Sequence, residues 1–187
     1  MSDELSGKRI ALLATDGVEQ VELVTPRDAL ADAGAEVVVL SPSSEAIQAV
    51  NGDINPGDTF KPDAQVSDAD ADTFDALVLP GGTANPDKLR LDQDALDLIS
   101  AVAGAGKPIA AICHGPWTLV ETGLVKGKTL TSWPSLQTDI RNAGGTWVDE
   151  ESFTCTAEGF TLVTSRKPDD LDAFTSAAIE AFASASA

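Results

Sequence analysis

A short apolar run, Pro108-Ile-Ala-Ala-Ile112, leads straight into Cys113-His114-Gly115-Pro116 and then into Trp117 to Thr122. This junction limits the fold more than any other stretch. The run is bounded by Gly106-Lys107 on one side and by Gly115-Pro116 on the other. Such a run suits a strand buried on both faces, as in a parallel sheet. Pro116 suits the first turn of a helix, where its missing N–H costs nothing. Cys113 therefore stands where a strand turns sharply into a helix, with the small residues Ala111 and Gly115 two positions away on either side. That is the layout of a nucleophile elbow, with sulfur in place of the usual hydroxyl. Orphan N–H groups at the helix start are expected to favour the thiolate. A cysteine in apolar surroundings is otherwise a small buried hydrophobe. The adjacent His114, the Gly-Pro pair and the preceding strand favour a nucleophile.

The remaining segments supply alternating strands and helices. Lys8 to Ala14 reads as a buried first strand, followed by the turn Thr15-Asp16-Gly17. Val18 to Ala33 has helical spacing, with Pro26 predicting a kink or a late start, and Gly34 a stop. Glu36 to Leu40 is a second strand, which completes a β-α-β unit and implies a parallel sheet. Ser41 to Asp72 is rich in turn residues. Ala46 to Val50 within it suits a hairpin or edge strand, and Asp68 to Asp72 a solvated acidic loop without EF-hand spacing. Phe74 to Leu79 is a third parallel strand ending in Pro80-Gly81-Gly82. Asp92 caps a helix that Gly106 stops. Short strands are expected at Lys128 to Thr131, Thr146 to Asp149, Ser152 to Thr156 and Phe160 to Thr164, with a helix at Pro134 to Ala143. A last helix from Pro168 carries Leu171, Phe174, Ala178 and Phe182 on one stripe. The reading is a single α/β domain over residues 1–187, with 1–7 as a disordered tail.

The 30 acidic residues against 12 Lys and Arg give a formal net charge of −18. Phosphates would be repelled, so nucleic acid is not an expected partner. Hydrophobic content of 43% argues against disorder. An acidic, solvated surface suits a salt-loving organism, because molar salt screens self-repulsion. Two cysteines, Cys113 and Cys155, form no disulfide framework and no zinc-ligand cluster, so no metal is expected. Cys155, in a predicted hairpin, reads as packing. The segment Met1 to Arg9 lacks a signal-peptide pattern and no apolar run reaches membrane-spanning length, which predicts a cytoplasmic protein without membrane contact.

In an open parallel sheet, ligands bind at the carboxyl ends of the strands. Three pieces converge there: Glu19 and Glu22 after the first strand, Gly81-Gly82 after the third, and Cys113-His114. A buried carboxyl beside a thiol would have a raised pKa and could move a proton; a carboxyl in a first turn also complements the helix dipole. Gly82 and His114 can each offer a backbone N–H to an oxyanion. His114 is the only histidine, so a triad with a distant His is excluded within one chain. A His directly after the nucleophile is expected to point away from it, leaving its carboxylate partner to a neighbouring subunit. No Gly-rich phosphate loop follows the first strand, so no cofactor is expected.

These segments resemble the PfpI-type intracellular cysteine protease and protein deglycase family, of the Parkinsonism-associated deglycase superfamily with its class I glutamine amidotransferase-like fold. The matching stretches are Glu19-Gln-Val-Glu22-Leu-Val-Thr-Pro26, Phe74-Asp-Ala-Leu-Val-Leu-Pro-Gly-Gly82, Ala110-Ala-Ile-Cys-His-Gly-Pro116, Thr131-Ser-Trp-Pro134, Asn142-Ala-Gly-Gly-Thr-Trp-Val-Asp149 and Leu162-Val-Thr-Ser-Arg166. The resemblance implies a flavodoxin-like three-layer α/β/α sandwich with a mostly parallel sheet, assembled as a homodimer or homohexamer. It implies Cys113 as nucleophile, Glu22 as the carboxyl bonded to it, Glu19 as Glu22's neighbour, Gly82 and His114 as N–H donors, and Asp87 as an acid supplied between subunits. Trp133 lines the pocket where glyoxalase-type members have a His, which weakens a glyoxalase reading. The implied substrates are small carbonyl compounds such as methylglyoxal, glycated proteins or peptides. The alternative is a non-catalytic redox sensor or stress chaperone built on an oxidisable Cys113.

Overall fold

Residues of a strand point alternately to opposite sides, and in the central strands both sets are apolar. In β1 (Arg9–Leu13), Ala11 and Leu13 enter one core while Ile10 and Leu12 enter another on the far side of the sheet. The computed structural model describes residues 3–185. After β1 come α1 (Gln20–Asp32), β2 (Glu36–Ser41), β3 (Ile47–Asn51), β4 (Asn55–Phe60), β5 (Ala64–Gln65), β6 (Ala76–Leu79), α2 (Ala84–Leu89) and α3 (Gln93–Gly104). The chain continues with β7 (Ile109–Ile112), α4 (Pro116–Glu121), β8 (Thr129–Leu130), α5 (Gln137–Asn142), β9 (Thr146–Trp147), β10 (Ser152–Cys155), β11 (Leu162–Ser165) and α6 (Leu171–Ser184).

The main sheet runs β10-β11-β7-β6-β1-β2-β5, with only β10 antiparallel to its neighbour. Its five central strands follow the flavodoxin-like order, with the reversal between β1 and β6. Leu98, Ile99 and Val102 of α3 cover one face; Leu23 and Leu30 of α1 and Phe174 and Phe182 of α6 cover the other. The expected α/β/α sandwich is thus present. Two smaller ladders stand outside the main sheet: the β3–β4 hairpin and the parallel pair β8–β9.

Several local expectations change. α1 runs without a break through Pro26, which is buried within it. α2 occupies a stretch that no sequence periodicity singled out. Residues 3–7 are not a loose tail: Leu5 is fully buried and its N–H donates to Ala33 O at 2.9 Å, because its side chain caps the core shared by β1 and α6. Residues 1 and 2 of that expected tail lie outside the described residues. Among the described residues, no helix is long and apolar enough to cross a membrane.

Candidate active site

The carboxyl ends of β1, β6 and β7 meet where the strand order reverses, and each continues into a residue of the candidate site. β7 ends at Ile112, and Cys113 follows with φ of +61°, a left-handed backbone that costs a non-glycine residue about 1–2 kcal/mol. The strain turns the chain sharply, so that β7 passes into α4 within three residues. Gly115 must lack a side chain at this bend, since a Cβ there would sit 2.5 Å from Leu79 O.

The sulfur is recessed, with Cys113 only 4% exposed. His114 is buried beside it, and its Nδ1 lies 3.2 Å from Sγ. The expectation that this histidine points away from its neighbour is therefore wrong. Its ring is held between two indoles: Trp133 stacks on it at 5.7 Å and Trp117 tilts against it at 5.1 Å. Trp117 is fixed in turn by a hydrogen bond from Nε1 to Asp139. Burial lowers the His114 pKa, partly offset by the negative charge of Asp53. Burial therefore favours the neutral imidazole, and its Nε2–H tautomer is the one that can accept from the thiol at Nδ1.

Glu22, in the first turn of α1, is completely buried. Its Oε2 accepts the Gly81 N–H at 2.8 Å, while Oε1 has no partner among the described residues. Burial pushes its pKa up to about 8; the Gly81 N–H and Cys113 pull it down, and the charges of Glu19 and Asp53 add to the rise. Glu22 therefore keeps its proton at neutral pH. The approach is close because residue 81 is glycine: a Cβ there would lie 2.5 Å from Glu22 Oε2 and 2.6 Å from Cys113 Cβ.

The thiol behaves differently from the sequence expectation. α4 is a helix of only six residues, and burial outweighs it, pushing the Cys113 pKa up. An ionised Glu22 adds to that rise, whereas the backbone N–H groups of Gly82 and His114 oppose it. Those two N–H groups converge on the sulfur. Gly82 has φ of +76°, and any side chain there would collide with Gly17 O.

Glu19 does not reach the sulfur. Both its oxygens are occupied, Oε1 by the Gly52 N–H and Oε2 by the Asp53 N–H, each at 3.0 Å. Asp87 is exposed on α2, and Trp133 is 36% exposed at the site's rim. Two residues escaped the sequence reading. Asn85 is fully buried and its Nδ2 donates to Pro80 O and Gly81 O, both at 3.0 Å, which fixes the glycine loop. Asp53 lies in the β3–β4 turn and accepts the Thr83 N–H at 2.7 Å. Cys155 is buried in β10, where its sulfur accepts the Thr129 N–H at 3.4 Å. A cleft of about 720 Å³ lined by Lys107, Thr154, Glu180 and Ser184 lies at the opposite, amino ends of β7 and β11 and contains none of these groups.

A strained cysteine at the carboxyl edge of a sheet with this strand order places the chain among the α/β sandwiches that carry a cysteine elbow. Within that class, the chain belongs to the DJ-1/PfpI family, whose family model matches residues 8–181. It is 42% identical over 167 residues to YraA of Bacillus subtilis, a protein named as a candidate cysteine protease, covering 89% of this chain and 94% of that relative. It is 39% identical over 166 residues to a protein of Pyrococcus abyssi named as a deglycase, with 89% and 94% covered. Among solved structures it is similar to DJ-1beta of Drosophila melanogaster, with a TM-score of 0.82, 30% identity, and 98% and 91% of the two chains covered.

Proposed function

We propose that the protein is a cysteine-nucleophile enzyme that attacks carbonyl carbons, acting as a deglycase on methylglyoxal and its adducts or as a peptidase. The observation that carries this reading is the approach of neutral His114 Nδ1 to Cys113 Sγ at 3.2 Å, beneath the N–H groups of Gly82 and His114. The thiol proton passes to Nδ1 as the sulfur attacks the carbonyl carbon. With methylglyoxal the imidazolium returns it to the oxygen of the resulting hemithioacetal. With a peptide it returns it to the departing amine, after which a water that gives its proton to Nδ1 hydrolyses the thioester and frees the thiol. Protonated Glu22 faces the same sulfur and stabilises the thiolate as a hydrogen-bond donor. The Gly82 and His114 N–H groups receive the charge that develops on the carbonyl oxygen. The names of the Bacillus and Pyrococcus relatives support both substrate types. Asp87, free on the surface of α2, is the acid that a neighbouring copy would supply in a homodimer or homohexamer. The test uses the purified protein in high salt on methylglyoxal, on its hemithioacetals with thiols and on a fluorogenic peptide, each beside a Cys113→Ser variant. Turnover of at least one that the variant abolishes supports the reading; turnover that the variant retains sinks it.

One observation favours a second reading as a redox sensor. Glu22 Oε1 is buried beside the sulfur with no partner among the described residues. Two equivalents of hydrogen peroxide oxidise the thiol to a sulfinic acid with release of two waters, and a protonated Glu22 would donate to the resulting sulfinate. Peroxide titration followed by intact mass discriminates: selective gain of two oxygens at Cys113 in a protein without turnover favours the sensor.

A further inference from the structure

The Gly81-Gly82 loop carries an N–H that faces the reacting sulfur, yet it has no side chain of its own to hold that N–H in place. Its neighbours are clamped from outside. On one side the Gly81 N–H is bound by Glu22, and Asn85 binds the Gly81 carbonyl. On the other side the Thr83 N–H is bound by Asp53 Oδ1 at 2.7 Å. That bond fixes the Gly82–Thr83 peptide plane, while the preceding Gly81–Gly82 plane, which carries the Gly82 N–H, is held through its carbonyl by Asn85 and by the Glu19 N–H; the two clamps together set the backbone of Gly82 and so the direction of its N–H.

Asp53 comes from a segment remote in sequence, the turn between β3 and β4. It has φ of +67°, directly after Gly52 at +63°. Aspartate is exposed there, so no burial repays its strain. The turn is pinned by Glu19, whose two oxygens take the N–H groups of Gly52 and Asp53. Glu19 is itself tied to the hairpin through a parallel bridge to Val50, and its own N–H points to Gly81 O at 3.4 Å. Glu19 therefore holds both sides of Gly82: through its own N–H it reaches the carbonyl of the Gly81–Gly82 peptide, and through Asp53 it reaches the Thr83 N–H of the following one.

We infer that the β3–β4 hairpin is a positioning arm of the active site, in which Asp53, held by Glu19, orients the Gly82 N–H toward Cys113. Asp53 and Glu19 are positioning residues under this assignment, which gives Glu19 a role other than proton transfer. The inference rests on the Cys113 reading above for its consequence in turnover, but not for its geometric content.

The hairpin's own conformation supplies a clean test. Glycine is the residue that a φ of +67° favours, so in Asp53→Gly the relief of backbone strain offsets the lost Thr83 hydrogen bond and the fold stays close to wild type in stability, checked by its denaturant midpoint. A merely structural turn would keep full activity in this variant. A positioning arm would lose about tenfold to a hundredfold in kcat on methylglyoxal, with KM changed far less, because an oxyanion donor is misaligned rather than removed. Asp53→Asn keeps an acceptor at Oδ1 and tolerates the left-handed backbone, so it should restore kcat to within about threefold of wild type. Amide hydrogen exchange, followed by NMR without any substrate, should quicken at Gly82 and Thr83 in the glycine variant while Leu77 and Ile112 stay unchanged. The arm is overturned if the glycine variant keeps wild-type kcat, if asparagine fails to rescue, or if exchange at Gly82 is unaltered. Should Cys113→Ser retain turnover, the nucleophile reading fails, and the exchange measurement still decides the arm.

Discussion

Glu22 is the residue at which burial and chemistry favour the same form. A carboxyl with no exposure favours its neutral form, and here the neutral form is also the one that can donate to sulfur. Keeping that proton has a measurable consequence. The pKa of Glu22 is raised from an ordinary 4.5 to about 8 in the folded protein, so between these values the fold holds a proton that the unfolded chain has released. Its contribution to stability is therefore full below about 4.5, declines as pH rises, and is wholly lost above about 8. Glu22→Gln removes that dependence while keeping an acceptor for the Gly81 N–H. The variant should gain on wild type as pH climbs from about 5 to about 9, by up to about 5 kcal/mol, read by urea denaturation at each pH. Parallel stability curves would show that Glu22 is ionised throughout. The cysteine itself was legible from its neighbours, because an elbow demands small residues at fixed offsets. Its pKa was not, since the helix start is visible in sequence whereas the depth of burial is set by α1 and by the loops after β6.

At the scale of elements, local signals read well and long-range ones did not. The start of α3 illustrates the first. Asp92 precedes an amphipathic run, and its side chain accepts the Ala95 N–H at 2.9 Å. Asp92→Ala should cost about 1 kcal/mol with no change in the reactivity of Cys113, measured by denaturant midpoint and by thiol alkylation rate. A loss of reactivity would mean that α3 is coupled to the elbow through α4. The paired segments of the β3–β4 hairpin were half visible: Ala46 to Val50 alternates, but β4 begins Asn55-Pro-Gly and carries no apolar pattern. Its docking onto the site depends on contacts between residues 33 and 30 positions apart, from Glu19 to Gly52 and from Asp53 to Thr83. Nothing in either short stretch announces the other. α2 escaped for a related reason: six residues containing a proline have no periodicity to detect, and the helix is held because Asn85, Pro86 and Leu89 are buried. The tail is a similar case, since one leucine among polar residues gives no signal, yet Leu5 fills the core fully.

At the scale of the whole molecule, the parallel α/β sheet followed from the alternation of apolar runs with helical stretches, the three-layer sandwich from the family resemblance, and the strand order only from the structure, but the surface charge is the more consequential feature. All 12 cations, if paired, would leave 18 carboxylates without a partner. Among the described residues most ion pairs are exposed ones, such as Arg9 with Glu36 and Arg27 with Asp28, each worth at most about 1 kcal/mol, and Arg166 with the buried Asp170 is the exception. They cannot offset the repulsion among the remaining acids, which acts across the entire surface and opposes compaction. Raising KCl has two opposed effects. It weakens the few exposed pairs and it screens the much larger number of like-charge repulsions. The second wins here because carboxylates outnumber cations so heavily. The melting temperature should therefore rise steadily as KCl goes from about 0.2 M to about 2 M, where the screening length falls to a few ångströms. Most of the gain should come below about 1 M, since screening is nearly complete there and further salt acts only through hydrophobic burial. Calorimetric scans at fixed pH check this, and sodium chloride should match KCl if screening is the cause. A melting temperature that stays flat or falls over this range would mean that the acidic surface is not adapted to salt, and that the fold carries its charge by other means.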